Sequence, residues 1–203
     1  MKIALIGATG NVGTRILAEL RRRGHTVTAI ARDVSKLAPQ DGVTAKAGDT
    51  GAPAALAPVL AGHDAVISST RFVGLDLAAL LSAIKTAGVK RLLVVGGAGS
   101  LEVAPGVALI DTPEFPEAYK AEAGAGGDVL KALRQGPGVE WTFLSPSAFF
   151  HEGERTGTFR LADDQLLVAA DGQSHISYED FAVALVDEVE SPAHANRRFT
   201  VGY

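Results

Sequence analysis

The sequence predicts an α/β protein with a doubly wound parallel sheet. Short apolar runs alternate with longer amphipathic stretches along most of the 203 residues, and this alternation of strands and helices is typical of that architecture. Apolar residues make up 47% of the chain and aromatic residues only 6%, which suits strands that are buried on both faces. Glycines stand where four predicted helices end, at Gly24, Gly62, Gly88 and Gly136.

The predicted elements follow one another regularly up to residue 144. We expect strands over residues 3–6, 26–31, 43–47, 65–68, 91–95 and 140–144, and helices over 12–23, 52–60, 75–87 and 118–134. Beyond residue 144 the pattern is less regular, with strands expected over 159–169, 174–177 and 198–201 and a helix over 178–190. No linker divides the chain. Residues 1–203 are therefore predicted to form a single domain, in which 145–203 build a small C-terminal subregion on the substrate side.

Composition and charge exclude several classes of function. The net charge is −4, whereas a nucleic-acid binder is expected to carry a basic face. The one basic run, Arg21 to Arg23, stands at a predicted helix end, where cations favour the helix dipole. The chain has no cysteine, and its histidine spacing offers no metal site. No apolar stretch approaches the about 18–20 residues of a membrane span, so we expect a cytoplasmic protein that binds neither membrane, nucleic acid nor metal.

A glycine-rich turn directly follows the first predicted strand and opens the first helix. It reads GATGNVG from Gly7 to Gly13. The first glycine allows a tight turn, the second lets the backbone approach a pyrophosphate, and the third lets helix and strand pack closely. The spacing is Gly-x-x-Gly-x-x-Gly, and no Gly-Lys-Ser/Thr follows that would indicate a Walker-type loop. A plain β–α turn is the alternative, but the context predicts a Rossmann-type site for a nicotinamide dinucleotide.

The end of the second predicted strand carries the residues that distinguish NAD from NADP. Arg32 comes first and Asp33 second. A carboxylate at this place usually holds the ribose of NAD, whereas an arginine accommodates the 2′-phosphate of NADP. The order favours NADP(H) over NAD(H) as the cofactor. The alternative is a solvated Arg–Asp pair at a strand exit.

Several motifs together resemble the atypical short-chain dehydrogenase/reductases. They are IGATGNVG at 6–13, ARD at 31–33, AGD at 47–49, HDAVI at 63–67 and WTFLSP at 141–146. The segments FFHEGERTG and SHISYEDFA in the last third of the chain are typical of the same group. Within it, the chain is similar to the single-domain NAD(P)H-binding proteins related to the NmrA-like regulators and to the biliverdin/flavin reductases. The similarity spans essentially the whole chain.

This resemblance implies a set of cofactor-binding residues at the carboxyl ends of the strands. Those expected along the pyrophosphate are Gly7, Thr9, Gly10, Asn11, Val12 and Gly13. Those expected at the adenosine are Arg32, Gly48 and Asp49. Those expected along the ribose and nicotinamide are Ser68, Ser69, Thr70, Gly96, Gly97, Pro146, Ser147 and Ala148. Roles in turns and helix caps are the alternatives for Asp49 and for residues 68–70.

The resemblance fails at the catalytic pair. Many short-chain dehydrogenases use a Tyr with a Lys four residues later, a spacing that places both on one helix face. Tyr119 begins a suitable helix, but residue 123 is Ala, and Lys120 points about 100° away on a helix. Tyr119 is our catalytic candidate, with packing on the surface as the alternative. Ser100, Lys120 and His151 are the other proton donors in segments expected to line the cleft.

Two further segments lead to specific expectations. Residues 99–117 are long, apolar and rich in proline, and with Phe149 and Phe150 they predict a mobile lid over an apolar substrate side. The acidic residues Asp187, Glu188 and Glu190 are interpreted as a solvated helix face.

Two classes of function remain open from the sequence. The first is an NAD(P)H-dependent oxidoreductase, with NADPH favoured, that reduces a small apolar or aromatic acceptor such as a quinone or flavin. Such acceptors demand less of a protein acid than a plain ketone does. The alternative is a non-catalytic NAD(P)-binding redox sensor of the NmrA-like type, which the missing Tyr–Lys pair keeps open. A nucleotide-sugar epimerase or dehydratase fits less well because the chain is short for a sugar-nucleotide subdomain.

Overall fold

The computed structural model describes all 203 residues, arranged as twelve strands and five α-helices. The strands are β1 (Lys2–Ile6), β2 (Thr26–Ala31), β3 (Val43–Ala47), β4 (Ala65–Ser68), β5 (Arg91–Val95), β6 (Glu102–Ala104), β7 (Val107–Ala108), β8 (Glu140–Pro146), β9 (Phe149–His151), β10 (Arg160–Ala162), β11 (His175–Ser177) and β12 (Arg197–Gly202). The helices are α1 (Asn11–Arg22), α2 (Pro53–Leu60), α3 (Leu77–Thr86), α4 (Glu117–Arg134) and α5 (Tyr178–Glu190).

Eight of the strands form one sheet in the order β10-β12-β8-β5-β4-β1-β2-β3. All neighbours in it run parallel except β10, which is antiparallel to β12. The chain proceeds from β1 outward through β2 to β3 and then crosses to β4 on the other side of β1. Strand order therefore reverses between β1 and β4, and in sheets of this kind ligands bind at that reversal, outside the carboxyl ends of the strands.

Helices cover both faces of the sheet, which confirms the predicted doubly wound α/β architecture. On one face, apolar residues of α1 and α5 pack against the strands, with Ile16, Leu20, Phe181 and Leu185 fully buried. On the other face, α2, α3 and α4 bury the apolar sides that their sequences predict. Trp141, at the start of β8, belongs to this second core and is 2% exposed.

The last third of the chain departs from the predicted elements. Of the strand expected over 159–169, only β10 forms, and β9 was not expected at all. β10 and β12 extend the main sheet, whereas β9 and β11 pair in parallel as a separate two-stranded sheet beside it. The segment 99–117, expected to be a mobile lid, contains a small antiparallel hairpin of β6 and β7 and a 3-10 turn over residues 109–111.

The interpretation of Glu188 as a solvated residue is wrong. Glu188 is 3% exposed and accepts hydrogen bonds from Arg91 and from the backbone and ring of His194. Burial alone raises the pKa of this carboxyl, but the hydrogen bonds from His194 outweigh burial and hold its pKa below the usual value. The carboxylate thus joins α5 to β5 and to the segment before β12. The helical periodicity of the sequence could not reveal that Glu188 is buried, since its partners lie far away in sequence.

None of the helices has both the length and the apolar character that crossing a bilayer requires.

Candidate functional site

The turn between β1 and α1 uses its glycines in two ways. Gly7 has a φ of +83°, and a Cβ on it would lie 2.1 Å from the carbonyl oxygen of Ser69. A Cβ on Gly13 would lie 2.1 Å from the carbonyl oxygen of Gly7. These two positions therefore admit only glycine for reasons of packing. A Cβ on Gly10 would meet nothing closer than 3.5 Å, so at this position the missing side chain leaves open space above the turn.

The same turn presents free donors to that open space. No side chain caps α1, whose N-cap residue is Gly10. The N–H groups of Asn11, Val12 and Gly13 have no acceptor in the chain. Such unpaired groups, together with the partial positive charge of a helix N-terminus, form an anion site. The residues present therefore fit the pyrophosphate of a dinucleotide.

Arg32 and Asp33 follow β2 at the same edge of the sheet but are not equally free. Asp33 Oδ1 accepts hydrogen bonds from Ser35 Oγ at 2.6 Å and from Ser35 N at 3.0 Å, which lower the pKa of the carboxyl. The exposed Arg32 forms no ion pair. Asp33 thus stabilises its own turn, and the guanidinium of Arg32 is the group left available to a ligand.

The two residues expected near the adenine have local roles in the fold. A Cβ on Gly48 would lie 2.7 Å from Ile30 Cγ2, so this glycine lets β3 end close to β2. Asp49 Oδ1 accepts a hydrogen bond of 2.9 Å from Gly51 N and thereby shapes the turn before α2. Both lie at the carboxyl end of β3, beside the end of β2.

A cavity of about 740 Å³ opens at the carboxyl ends of the strands. Eleven of the predicted site residues line it: Gly10, Asn11, Val12, Ser69, Thr70, Gly96, Gly97, Tyr119, Pro146, Ser147 and Ala148. The others, Gly7, Thr9, Gly13, Ser68, Arg32, Gly48 and Asp49, do not line it. Ser68 is 2% exposed, and its hydroxyl lies 3.2 Å from that of Thr70. The hydroxyl of Ser147 donates to the carbonyl of Val201 at 3.0 Å, so it joins β8 to β12.

Six of the residues that line the cavity are aromatic, and together we call them its aromatic wall. They are Phe72, Phe115, Tyr119, Phe149, Phe150 and Tyr178. Phe149 and Phe150 were expected there, whereas Phe72 and Tyr178 were not. Phe72 is 8% exposed and stacks on Phe143, with ring centroids 6.0 Å apart. A wall of this kind accommodates a flat apolar molecule better than a polar one.

Glu122 is a residue that sequence reasoning missed. Its carboxylate accepts hydrogen bonds from the backbone N–H groups of Phe72 at 2.6 Å and Val73 at 3.2 Å. One of its oxygens also lies 3.5 Å from Arg71 Nε. Glu122 thus attaches the loop that follows β4, which borders the cavity, to helix α4. No motif indicates this contact because the partners are about fifty residues apart in sequence.

Of the four proton donors expected in the cleft, only Tyr119 lines the cavity. Ser100 accepts a hydrogen bond of 3.0 Å from Arg198, Lys120 forms an ion pair of 2.8 Å with Glu117, and His151 Nδ1 lies 2.8 Å from the carbonyl oxygen of Glu152. Tyr119 is 65% exposed. Residue 123, where many short-chain dehydrogenases have a Lys, is an Ala that lies close to Gly99, since a Cβ on Gly99 would be only 2.6 Å from Ala123 Cβ.

The sheet order, the reversal at β1 and the open turn before α1 define a Rossmann-type dinucleotide-binding protein. The profile of the NAD(P)H-binding family matches residues 7–192, and the chain belongs to this family. The match confirms the resemblance stated on the sequence motifs.

Two curated relatives align along the chain. The uncharacterized protein YwnB of Bacillus subtilis (strain 168) is 44% identical over 99% of this chain and 98% of its own. The NAD(P)H azoreductase of Xenophilus azovorans is 27% identical over 98% of this chain and 67% of its own.

Two solved structures cover the whole chain. A protein of Bacteroides thetaiotaomicron that is provisionally assigned as an epimerase is 40% identical, with a TM-score of 0.95 and 96% of its own chain covered. A protein of Streptococcus pneumoniae TIGR4 that is provisionally assigned as an NADH-flavin reductase is 37% identical, with a TM-score of 0.80 and 99% of its own chain covered.

Proposed function

We propose that this protein is an NAD(P)H-dependent oxidoreductase that reduces a small apolar or aromatic acceptor such as a quinone or flavin. The observation that carries the proposal is that one and the same cavity is lined by the start of α1, with its free N–H groups, and by the aromatic wall. A bound nicotinamide cofactor would supply the hydride. The names of the azoreductase and flavin-reductase relatives support reduction of flat conjugated acceptors.

NADPH is the cofactor that we favour over NADH. Asp33, the carboxylate that could hold a free ribose, is engaged by Ser35, whereas the exposed Arg32 has no ion pair. An unpaired guanidinium fits a 2′-phosphate through charge-assisted hydrogen bonds.

The chain contributes to this reaction mainly by positioning. The turn before α1 would hold the pyrophosphate, residues 146–148 would flank the nicotinamide, and the aromatic wall would orient the acceptor and exclude water. Tyr119 is the proton donor predicted from the sequence, and it lies in the cavity wall.

Location in the cytoplasm stays a prediction from the sequence.

A non-catalytic redox sensor is the second candidate. One observation favours it: Ala123, packed against Gly99, stands where many short-chain dehydrogenases have the Lys that assists their Tyr, so the Tyr–Lys pair is absent. A sensor would bind the dinucleotide with the same residues and transmit its redox state to a partner.

Steady-state oxidation of NADPH distinguishes the two functions. We expect turnover with a panel of quinones and flavins, and binding of NADPH without turnover of any acceptor would contradict the oxidoreductase. Gly10→Ala serves as a matched control, because its Cβ enters only the open space above the turn. The variant is expected to remain folded and to lose NADPH binding and turnover together.

A further inference from the structure

Tyr178 lines the cavity but does not belong to the predicted site residues. It is the first residue of α5 and lines the cavity together with Asn11 and Phe150. The parallel pairing of β9 with β11 places it there, since Ile176 aligns with Phe150 and Ser177 with His151. Tyr178 therefore stands beside the segment that directly follows residues 146–148, which are expected to flank the nicotinamide.

The three tyrosines of the chain differ in the exposure of their side chains and in whether their hydroxyls form hydrogen bonds. The hydroxyl of Tyr203 donates to Asp180 at 2.7 Å and contacts Ser177 at 2.9 Å. Tyr119 is free but 65% exposed, and the nearby Lys120 is paired with Glu117. Tyr178 is half-buried, and no hydrogen bond within the chain engages its hydroxyl.

Tyr178 also has the cationic neighbour that Tyr119 lacks. The guanidinium carbon of Arg15 lies 5.8 Å from the centroid of the Tyr178 ring. Phe150 contacts the same ring edge-to-face, with centroids 4.7 Å apart. The ring thus contacts a cation from α1 and an aromatic residue of β9, which hold it at the edge of the cavity that it lines.

The charges around Tyr178 keep this arrangement in place. Arg15 donates a hydrogen bond of 2.9 Å to Glu179, which raises the pKa of the guanidinium and keeps it charged. Glu152 pairs with Arg15 at 2.6 Å, but its side chain is 74% exposed, so solvent screens its charge. The buried Asp180 is engaged by Gly157 and Tyr203. Arg15 is therefore the cation that contacts the Tyr178 ring, and it shares its charge with Glu179 and Glu152.

From this geometry we propose that Tyr178, oriented and supported by Arg15, is the proton donor of the reductase reaction. The proposal rests on the proposed function. The quinone accepts a hydride from NADPH and becomes the hydroquinone anion, and the O–H bond of Tyr178 breaks to protonate the oxygen of that anion. The phenolate then takes a proton from water, so one NADPH and one proton are consumed per hydroquinone. The guanidinium of Arg15, which lies over the ring, favours the negative charge of the phenolate during transfer.

Tyr178→Phe tests the proposal because it removes only the hydroxyl and keeps the ring contacts with Phe150 and Arg15. With NADPH and a series of substituted 1,4-benzoquinones, we expect kcat to fall about 100-fold, as is typical when a general acid is removed. The loss should grow as the anion of the reduced acceptor becomes more basic. The solvent deuterium isotope effect on kcat should be smaller in Tyr178→Phe than in the wild-type protein. NADPH affinity, measured by fluorescence titration, should stay unchanged.

Other results would overturn the assignment. If Tyr178→Phe retained kcat within about twofold, or lost NADPH affinity as much as kcat, Tyr178 would be a wall residue and the proposed reductase function would still stand. If Tyr119→Phe lost kcat and Tyr178→Phe did not, the donor would be Tyr119. Absence of turnover by the wild-type protein would refute the proposed function and this proposal together. Arg15→Gln is expected to show part of the loss in kcat with the same dependence on the acceptor.

Discussion

At the scale of single residues, the glycines of the turn before α1 differ in whether they serve cofactor binding or folding. A Cβ on Gly10 meets only the carbonyl of Gly7 at 3.5 Å, whereas one on Gly7 or Gly13 would overlap backbone atoms. Gly10→Ala is therefore expected to leave thermal unfolding unchanged and to weaken NADPH binding about tenfold or more, because the methyl group crowds the pyrophosphate. Circular dichroism melting and fluorescence titration measure the two effects.

Gly7→Ala provides the opposite case. Gly7 has a φ of +83° and its Cβ would lie 2.1 Å from Ser69 O, so the expected loss in the free energy of unfolding is at least about 2 kcal/mol. Equal destabilisation by Gly10→Ala and Gly7→Ala would show that the space above Gly10 is needed for packing and not for a ligand.

Arg32 is the residue on which the cofactor preference depends. Its guanidinium is exposed at the end of β2 and Asp33 is engaged by Ser35. Arg32→Ala should weaken NADPH binding about 10- to 100-fold, the equivalent of one or two charge-assisted hydrogen bonds. NADH binding should change little. Dissociation constants for both cofactors test this, and an equal loss for the two would remove the 2′-phosphate from the role of Arg32.

At the scale of elements, the attachment of the loop after β4 to α4 controls one side of the cavity. Glu122 holds the N–H groups of Phe72 and Val73. Glu122→Ala is expected to cost about 1–3 kcal/mol in unfolding free energy, since the partly buried N–H of Phe72 and the exposed N–H of Val73 lose their acceptor. It is also expected to raise the KM for the acceptor. Glu122→Gln should cost less, because its amide oxygen still accepts one hydrogen bond.

Urea denaturation and steady-state kinetics measure the effects of these Glu122 variants. A change in stability without any change in KM would mean that this loop does not shape the substrate side. If the hydrogen bonds of Glu122 hold the loop, the free energy of unfolding should decrease in the order wild type, Glu122→Gln, Glu122→Ala.

The elements up to residue 144 could be predicted, apart from the short strands β6 and β7. The bounds of β2, β3, β4 and β5 agree with those expected, and the start of α1 differs by one residue. Their signals are local, because apolar runs and glycine stops depend on nearest neighbours in sequence. β9 could not be predicted, since its three residues form a strand only by pairing with β11, which begins more than twenty residues later.

At the scale of the whole molecule, carboxylates connect parts of the chain that are distant in sequence. Burial raises the pKa of Asp164, Glu179, Glu188 and Glu190, but hydrogen bonds and neighbouring cations outweigh it, and each pKa lies below its usual value. Their partners include Arg198, Arg15, His194 and Arg23. These contacts tie α1, α5 and the strands at one end of the sheet together.

This pattern predicts loss of stability in acid. The unfolded chain binds protons on these groups at the ordinary values near about pH 4, and the folded chain binds them only at lower pH. Their contribution is therefore fully present above about pH 5 and is lost as the pH falls through the folded pKa values. Urea midpoints measured between about pH 3 and 7 should decrease steeply at the acid end of the range.

A matched pair of variants tests the origin of this acid sensitivity. Glu188→Gln should flatten the pH dependence and should cost about 1–3 kcal/mol at neutral pH, because it removes one of the two carboxylates that the buried Arg91 contacts and leaves only Glu140. Glu154→Gln, at an exposed position on the same third of the chain, should change neither. A pH dependence that persists in full in Glu188→Gln would assign it to the other carboxylates.

The amino-acid sequence was enough to predict the α/β class and the glycine-rich turn after β1, because these follow from local patterns and from one motif with a known geometry. Packing of distant segments determined the rest. It brought Tyr178 to Arg15, Ala123 to Gly99, and Glu122 to the loop after β4. The turn at Gly7 to Gly13 can thus be recognised from its spacing, whereas the groups that line the cavity come together only when the carboxyl ends of the strands meet.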